Sequence, residues 1–371
     1  MVPVPGLEGV RAALAARATT PFNIVCLGDS MTEGQGATAF GNRWVDVLRT
    51  TLRSRFPTAG VTGGAGFISP TNGLVSESAS VFPVVNASTV LTNSQSGPKK
   101  RNRRFTGAGQ ISTWTVTGTA ADIMYWQGTT TGTVKWSVDG GATTNLATAG
   151  GSSAGGTMSR ISLGASGVHT VAIEWVSGTS YIEGLVVYDG DETAGIRVHE
   201  AGKSGESAYK WDQVNHEATT AWSRSVAQLN PHLVIIGLGI NDFHAGTVTK
   251  AQFKSALSSM IADIRTNTAT DPTFMLIGYP KPNDTGNDPF TQFYDAMFEI
   301  ADADAEIVSW DSSPWIKDST TDTEGLYSGT THFSDLGHAR FGAWMSYALT
   351  NTITLSNPQQ RTRLYARQRR R

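Results

Sequence analysis

Cysteine is almost absent from this chain of 371 residues, Cys26 being the only one, which excludes an intrachain disulfide and a cysteine-rich metal site. Charge is scarce as well: 16% of residues, balanced to a net −2, so there is no general attraction to nucleic acid or to an anionic membrane. No run approaches the ~20 apolar residues of a membrane span. Met1 to Arg17 lacks the charged-then-apolar profile of a secretory signal and reads as a short amphipathic helix with Val10 and Leu14 at i, i+4. Three expectations for location follow: inside the cell, matured beforehand, or delivered outside by another route, as a virion part or lysis product would be.

What is present argues for a folded, partly β-rich protein. Hydrophobic residues make up 39% against a small net charge, the opposite of a disordered chain. Forty glycines among Ser, Thr and short apolar runs predict loop-rich β structure in part of the chain. At roughly 150 residues per domain the length suggests two or three domains.

Three textures follow one another. Phe22–Leu27 is a continuous apolar run suited to a strand buried on both faces, and Trp44, Leu48 and Leu52 mark a helix ended by Pro57. From about Gly63 to Gly190 alternation takes over. Val134, Trp136 and Val138 share one face before the turn Asp139-Gly140-Gly141, Val171, Ile173 and Trp175 repeat the pattern, and Tyr181–Tyr188 adds a strand. An antiparallel sandwich or jelly roll is the expectation there. After Gly195 strands and helices alternate: a helix through Val214, Ala218, Trp222 and Val226, strands at Leu233–Leu238, Phe274–Gly278 and Ile307–Trp310, helices through Phe253, Leu257 and Ile261 and over about 289–301, and a last helix after Ser334. That pattern predicts a mostly parallel sheet covered on both faces. The expected division is residues 1–60 and 195–355 in one α/β domain, 61–194 as an inserted β-sandwich, and 356–371 as a basic tail.

Two basic stretches, Lys99, Lys100, Arg101, Arg103 and Arg104 in the insertion and Arg361 to Arg371 at the end, read either as a solvated loop and a frayed tail or as docking sites for a polyanion such as teichoic acid, nucleic acid or an acidic protein.

Three short motifs sit at strand ends, where parallel α/β sheets bind ligands. Gly28-Asp29-Ser30 follows the first strand and precedes a helix; the residues suit a turn and cap, and equally an exposed hydroxyl beside helix amides. Gly239-Ile240-Asn241-Asp242 follows the strand Leu233–Leu238, either as another turn or as an amide donor into the same crevice. Thr331-His332-Phe333-Ser334-Asp335-Leu336-Gly337-His338 precedes the last helix. Ser334 or Asp335 could cap that helix, leaving His332 on the loop as the proton shuttle a serine hydroxyl needs. His338, on the helix, reads as structural.

In order and position these blocks resemble the SGNH (GDSL-type) hydrolase family. Gly28 to Ser30 is similar to its first block, Gly205 in Ala201-Gly202-Lys203-Ser204-Gly205-Glu206-Ser207 to its second, Gly239 to Asp242 to its third, and His332 to His338 to its last. The resemblance covers roughly 21–60 and 195–350. It implies a flavodoxin-like three-layer α/β/α fold and hydrolysis of acyl esters, with Ser30 as nucleophile and His332 as general base and then acid. The oxyanion hole it implies comprises the backbone N–H of Ser30, that of Gly205 and the side-chain amide of Asn241, with no metal or organic cofactor. Where the family has an aspartate three residues before its histidine, this chain has Gly329. A carbonyl between Leu326 and Thr331 could then orient His332, giving a Ser-His dyad, or a carboxylate such as Asp311, Asp322 or Glu324 could substitute, or the site could be impaired.

Asp29 is expected to fix the turn, and Cys26, inside the apolar strand, to act as a small hydrophobe. Trp114, Trp126, Trp136 and Trp175 read mainly as core, with one or two available as a sugar-stacking platform. The β-rich insertion resembles accessory modules of carbohydrate esterases in this family, which implies an O-acetylated polysaccharide or bacterial surface glycan as substrate. A phage-tail setting fits the missing signal and disulfides. The competing expectations are a glycan- or receptor-binding module with a degenerate esterase site, and a lipase or phospholipase.

Overall fold

The computed structural model describes residues 2–3, 6–61, 63–71, 83–92, 96–214, 221–313, 315–350 and 352–353. The basic tail and Ala218 lie outside the described residues.

Five apolar runs form a parallel sheet. In space the order is Ile196–Gly202, Phe22–Gly28, Leu233–Gly237, Thr273–Gly278, Ile307–Asp311. Numbered along the chain this is 2-1-3-4-5, the flavodoxin-like order. All four pairings are parallel. Every residue of the Phe22–Gly28, Leu233–Gly237 and Thr273–Gly278 strands is buried, as central strands covered by helices must be. The order reverses between the first and third strands, so the crevice beyond Gly28 and Gly237 is where such a sheet takes a ligand.

The helices follow the sequence periodicity, at Trp44–Arg55, Lys250–Asn267, Thr291–Ala303 and Asp335–Thr350. Trp44, Leu48 and Leu52 are buried on one face, each contributing about 1.5–3 kcal/mol if fully removed from water. Of the helix expected through Val214, Ala218, Trp222 and Val226, the described residues show a π-helical stretch at Lys210–Val214 and an α-helix at Ala221–Ala227.

Among the described residues the alternating region forms one connected nine-stranded sheet. Its spine is two long antiparallel strands, Ile111–Gln127 and Ala154–Ser177, whose register shifts between Ser162 and Gly167. A bulge there lets each strand bend and serve two stretches of sheet. Trp114, Ile123, Val134, Val171, Ile173 and Leu185 are buried together inside it, with Trp136 and Trp175 packed at the margin. Trp126 meets Tyr181 edge-on, ring centroids 5.5 Å apart. Phe67, Met124 and Val186 instead join the α/β core.

The basic stretch of the insertion corrects both sequence readings of it. Lys99 and Lys100 are 1% exposed and Arg101 6%, so these three are neither a solvated loop nor a docking patch, while Arg103 and Arg104 are half-buried on a strand. Lys99 pairs with Glu33 and Glu200, each at 3.0 Å, and Arg101 with Glu33 at 2.7 Å. Lys100 lies over the rings of Trp211 and Trp222, 4.9 and 5.0 Å from their centroids, and burial lowers its pKa to about 7. Buried charge is tolerable only when paired this closely.

Candidate active site

The first strand ends at Gly28 because nothing larger fits. A Cβ there would sit 2.1 Å from Thr32 Oγ1 and 2.5 Å from the Gly237 carbonyl. Asp29 then caps the short helix Ser30–Glu33, its Oδ1 accepting the Met31 N–H at 2.9 Å. It is fully buried, and burial raises its pKa to about 8. Asp29 thus fixes the turn that presents Ser30.

From the far end of the chain, 302 residues away, His332 brings Nε2 to 2.8 Å from Ser30 Oγ. Its strand, His332–Phe333, pairs with Tyr327–Ser328. Ser334 accepts the Gly337 N–H at the start of the last helix and so acts as its cap. Burial, and the neighbouring His244, hold the His332 imidazole below its ordinary pKa, while Asp284 pulls the other way. The ring is therefore mostly neutral at pH 7, as a general base must be.

Lys203 to Glu206 form a tight turn, closed by the Glu206 N–H on the Lys203 carbonyl at 3.2 Å. Gly205 occupies its third position with φ +80°, as a type II turn requires. The turn is anchored to the serine element: the Lys203 N–H donates to the Gly28 carbonyl at 2.8 Å, and the Ser204 N–H to Glu33 Oε2 at 2.7 Å. Its far side is held by the third block. Asn241 Nδ2 donates to the Glu206 carbonyl at 2.7 Å, and Asp242 accepts the N–H groups of Ala208 and Tyr209 at 2.9 and 3.0 Å. An amide nitrogen has two hydrogens, so this bond leaves Asn241 a second. All four sequence blocks are thus linked through one connected set of contacts.

These contacts complete a serine–histidine pair beside a turn of backbone amides, the arrangement used for acyl transfer. The model of the GDSL-like Lipase/Acylhydrolase family matches residues 180–340. Residues 180–340 thus carry the signature of a GDSL-like lipase/acylhydrolase domain. The match takes in Gly205, Asn241 and His332 and leaves Ser30 outside it. The acylhydrolase fold also appears in a solved structure described as a peptidoglycan O-acetylesterase in action, with TM-score 0.67 and 17% identity over 93% of this chain and 95% of that one. A family two carbohydrate esterase from Clostridium thermocellum gives TM-score 0.34 and 14% identity, over 71% of this chain and 97% of that one. No curated protein matches the chain.

The carboxylates considered as partners of His332 are engaged in their own turns. Asp322 accepts from the Glu324 and Leu326 N–H groups, Glu324 pairs with Arg340 at 2.6 Å, and Asp311 accepts the Ser313 N–H. Gly329 has φ +89°. The carboxylate beside the histidine loop is Asp284, which the sequence reading missed. It accepts the Thr331 hydroxyl and lies 3.2 Å from His244 Nε2.

The remaining candidates are structural. Cys26 is buried in its strand and burial pushes its thiol well up. His338 is buried, its Nδ1 accepting the Trp44 N–H at 3.3 Å and its Nε2–H donating to the Gln35 carbonyl at 3.1 Å. Asp335 accepts the Thr38 N–H at 2.8 Å, tying the segment after Ser30 to the last helix of the acylhydrolase domain. Among the described residues, no group of three or more His, Cys, Asp or Glu could hold a metal ion, and no helix is long and apolar enough to cross a membrane.

Proposed function

We propose that the chain is a serine esterase that removes acyl groups, O-acetyl in particular, from a carbohydrate such as a bacterial surface glycan. The observation that carries the reading is the 2.8 Å approach of His332 Nε2 to Ser30 Oγ at the switch point of the sheet. In this mechanism Ser30 Oγ attacks the acyl carbon while its proton passes to His332 Nε2. The negative oxygen of the tetrahedral intermediate is met by the N–H groups of Ser30 and Gly205 and the Asn241 amide. Collapse breaks the bond to the sugar oxygen, which takes the proton back from His332. Water then attacks the acyl-enzyme, gives its proton to His332, and releases the acid as Ser30 recovers its own. No step needs a metal or organic cofactor.

The carbohydrate part of the proposal is supported by the β-rich insertion and by the O-acetylesterase with which the chain shares its fold. The domain limits proposed are 61–194 for the insertion, with 1–60 and 195–355 forming the hydrolase and 356–371 a tail. Gly329, in place of the family aspartate, favours a second reading: a glycan- or receptor-binding protein whose site has lost turnover.

One panel separates the two. The esterase hydrolyses p-nitrophenyl acetate and acetylated sugars, with short acyl chains preferred, and Ser30→Ala abolishes turnover with the circular dichroism unchanged. Retention of polysaccharide on a column without Ser30-dependent turnover establishes the binding module instead. A preference for long acyl chains points to a lipase.

A further inference from the structure

Three side chains that no sequence block contains converge on the turn carrying Gly205. Glu33, at the end of the serine helix, is fully buried. Its Oε2 accepts the Ser204 N–H at 2.7 Å, while its Oε1 accepts Arg101 Nη1 at 2.7 Å and Lys99 Nζ at 3.0 Å. Arg101 extends a second prong, Nη2, to the Ser204 carbonyl at 3.4 Å. Lys99 also reaches Glu200, on the strand leading into the turn, at 3.0 Å. Both cations come from the β-rich insertion.

The Ser204 carbonyl and the Gly205 N–H belong to one planar trans peptide, so they point in opposite directions. In a tight turn this central peptide is the group whose flip converts type II to type I. A donor fixed on the carbonyl side therefore decides where the N–H points. It also polarises the amide, making that N–H a stronger donor.

We propose that Arg101, seated by Glu33 and Lys99, is a positioning residue that locks the Ser204–Gly205 peptide with its N–H toward the reacting oxygen. The insertion is then part of the hydrolytic apparatus as well as any recognition surface. This rests on the esterase reading given above, in which the Gly205 N–H serves the oxyanion.

The test uses the full chain with Arg101→Lys and Arg101→Met, assayed for p-nitrophenyl acetate hydrolysis beside wild type and Ser30→Ala. Lysine keeps the charge facing buried Glu33 but replaces the planar two-pronged fork with a single nitrogen on a shorter stem, so it tests the second prong. Expected is a kcat lowered at least about tenfold in Arg101→Lys, and about 100- to 1000-fold in Arg101→Met, the effect of losing one oxyanion donor. KM should change less than about twofold, because the donor acts mainly in the transition state. Combining Arg101→Met with Gly205→Ala, which disfavours the same positive φ, should lower kcat little further.

Wild-type kcat in folded Arg101→Lys and Arg101→Met overturns the positioning role and leaves the esterase reading intact. So does a KM effect with kcat unchanged, or failure of both variants to fold, which assigns Arg101 to stability. No Ser30-dependent turnover in wild type overturns the esterase reading, and this inference with it.

Discussion

At the scale of single residues, the sequence exposes the groups that do chemistry more readily than those that aim them. In the proposed esterase Asn241 belongs to the first kind: replacing it with alanine removes one amide donor and should cost roughly 100- to 1000-fold in kcat, measured on p-nitrophenyl acetate with KM as internal control. Asp284 belongs to the second. Its charge opposes the burial that holds His332 below its ordinary pKa. Asp284→Asn should therefore move the acid limb of the kcat/KM profile to lower pH, since the neutral imidazole persists further into acid. An acid limb that stays put, or moves upward, removes Asp284 from the site. Ser30 and His332 stood out through the order of the four blocks along the chain, since a Gly-Asp-Ser turn or a lone histidine taken singly suits a structural role as well. Asp284, Glu33 and Arg101 did not, because a carboxylate or guanidinium declares its role only through its partner. The partners of Lys99 lie 66 and 101 residues away, so locally the run Lys99 to Arg104 looks like any solvated basic loop.

Among the elements, periodicity located the core strands and most helices to within a few residues, because an apolar run buried on both faces and a 3.6-residue stripe are local properties. The capping contacts between elements are not local. Arg43 makes no side-chain cap for the helix Trp44–Arg55. The orphan Trp44 N–H is taken instead by His338 Nδ1, from the last helix. That role requires a neutral ring, and burial lowers the His338 pKa from 6.5 to about 4. Between those values the unfolded chain binds a proton that the folded chain refuses, so this contribution to stability is whole above pH 6.5 and drains away as pH falls. His338→Gln should be less stable than wild type at pH 7. The gap should narrow by about 1.4 kcal/mol per pH unit between roughly pH 6 and pH 4, read from urea unfolding at each pH. A constant gap would show that His338 titrates normally in the fold. The strand order of the insertion was likewise beyond sequence reading. Alternation says which residues face inward, but not that the long strands bend at a register shift near Ser162 and pair in one continuous sheet.

For the molecule as a whole, the change of texture near residues 60 and 195 suggests two independent parts, yet the contacts across that boundary are those of a shared interior. Phe67, Met124 and Val186 pack in the α/β core. The Phe67 N–H donates to Nδ1 of His199, at 3.1 Å, and burial pushes that imidazole down to about 3. Buried Glu183 accepts the Ser225 hydroxyl from the helix Ala221–Ala227 at 2.9 Å, and that hydroxyl oxygen accepts the Gly97 N–H at 3.2 Å. Arg53 reaches the carbonyls of Gly63 and Gly64 at 2.6 and 3.0 Å. Pulling the β-rich part away would expose apolar core and take Lys99 and Arg101 from buried Glu33, and breaking a buried ion pair by removing one partner costs several kcal/mol. A penalty of that size exceeds a large share of a typical net folding free energy, so partly unfolded states should be scarcely populated. Scanning calorimetry should accordingly show one transition with matching calorimetric and van't Hoff enthalpies. Esterase activity should disappear in step with the near-ultraviolet signal of the insertion's tryptophans. Two resolved transitions, with turnover surviving the first, would mean that the insertion is an independent module and that its buried cations do not hold the catalytic turn.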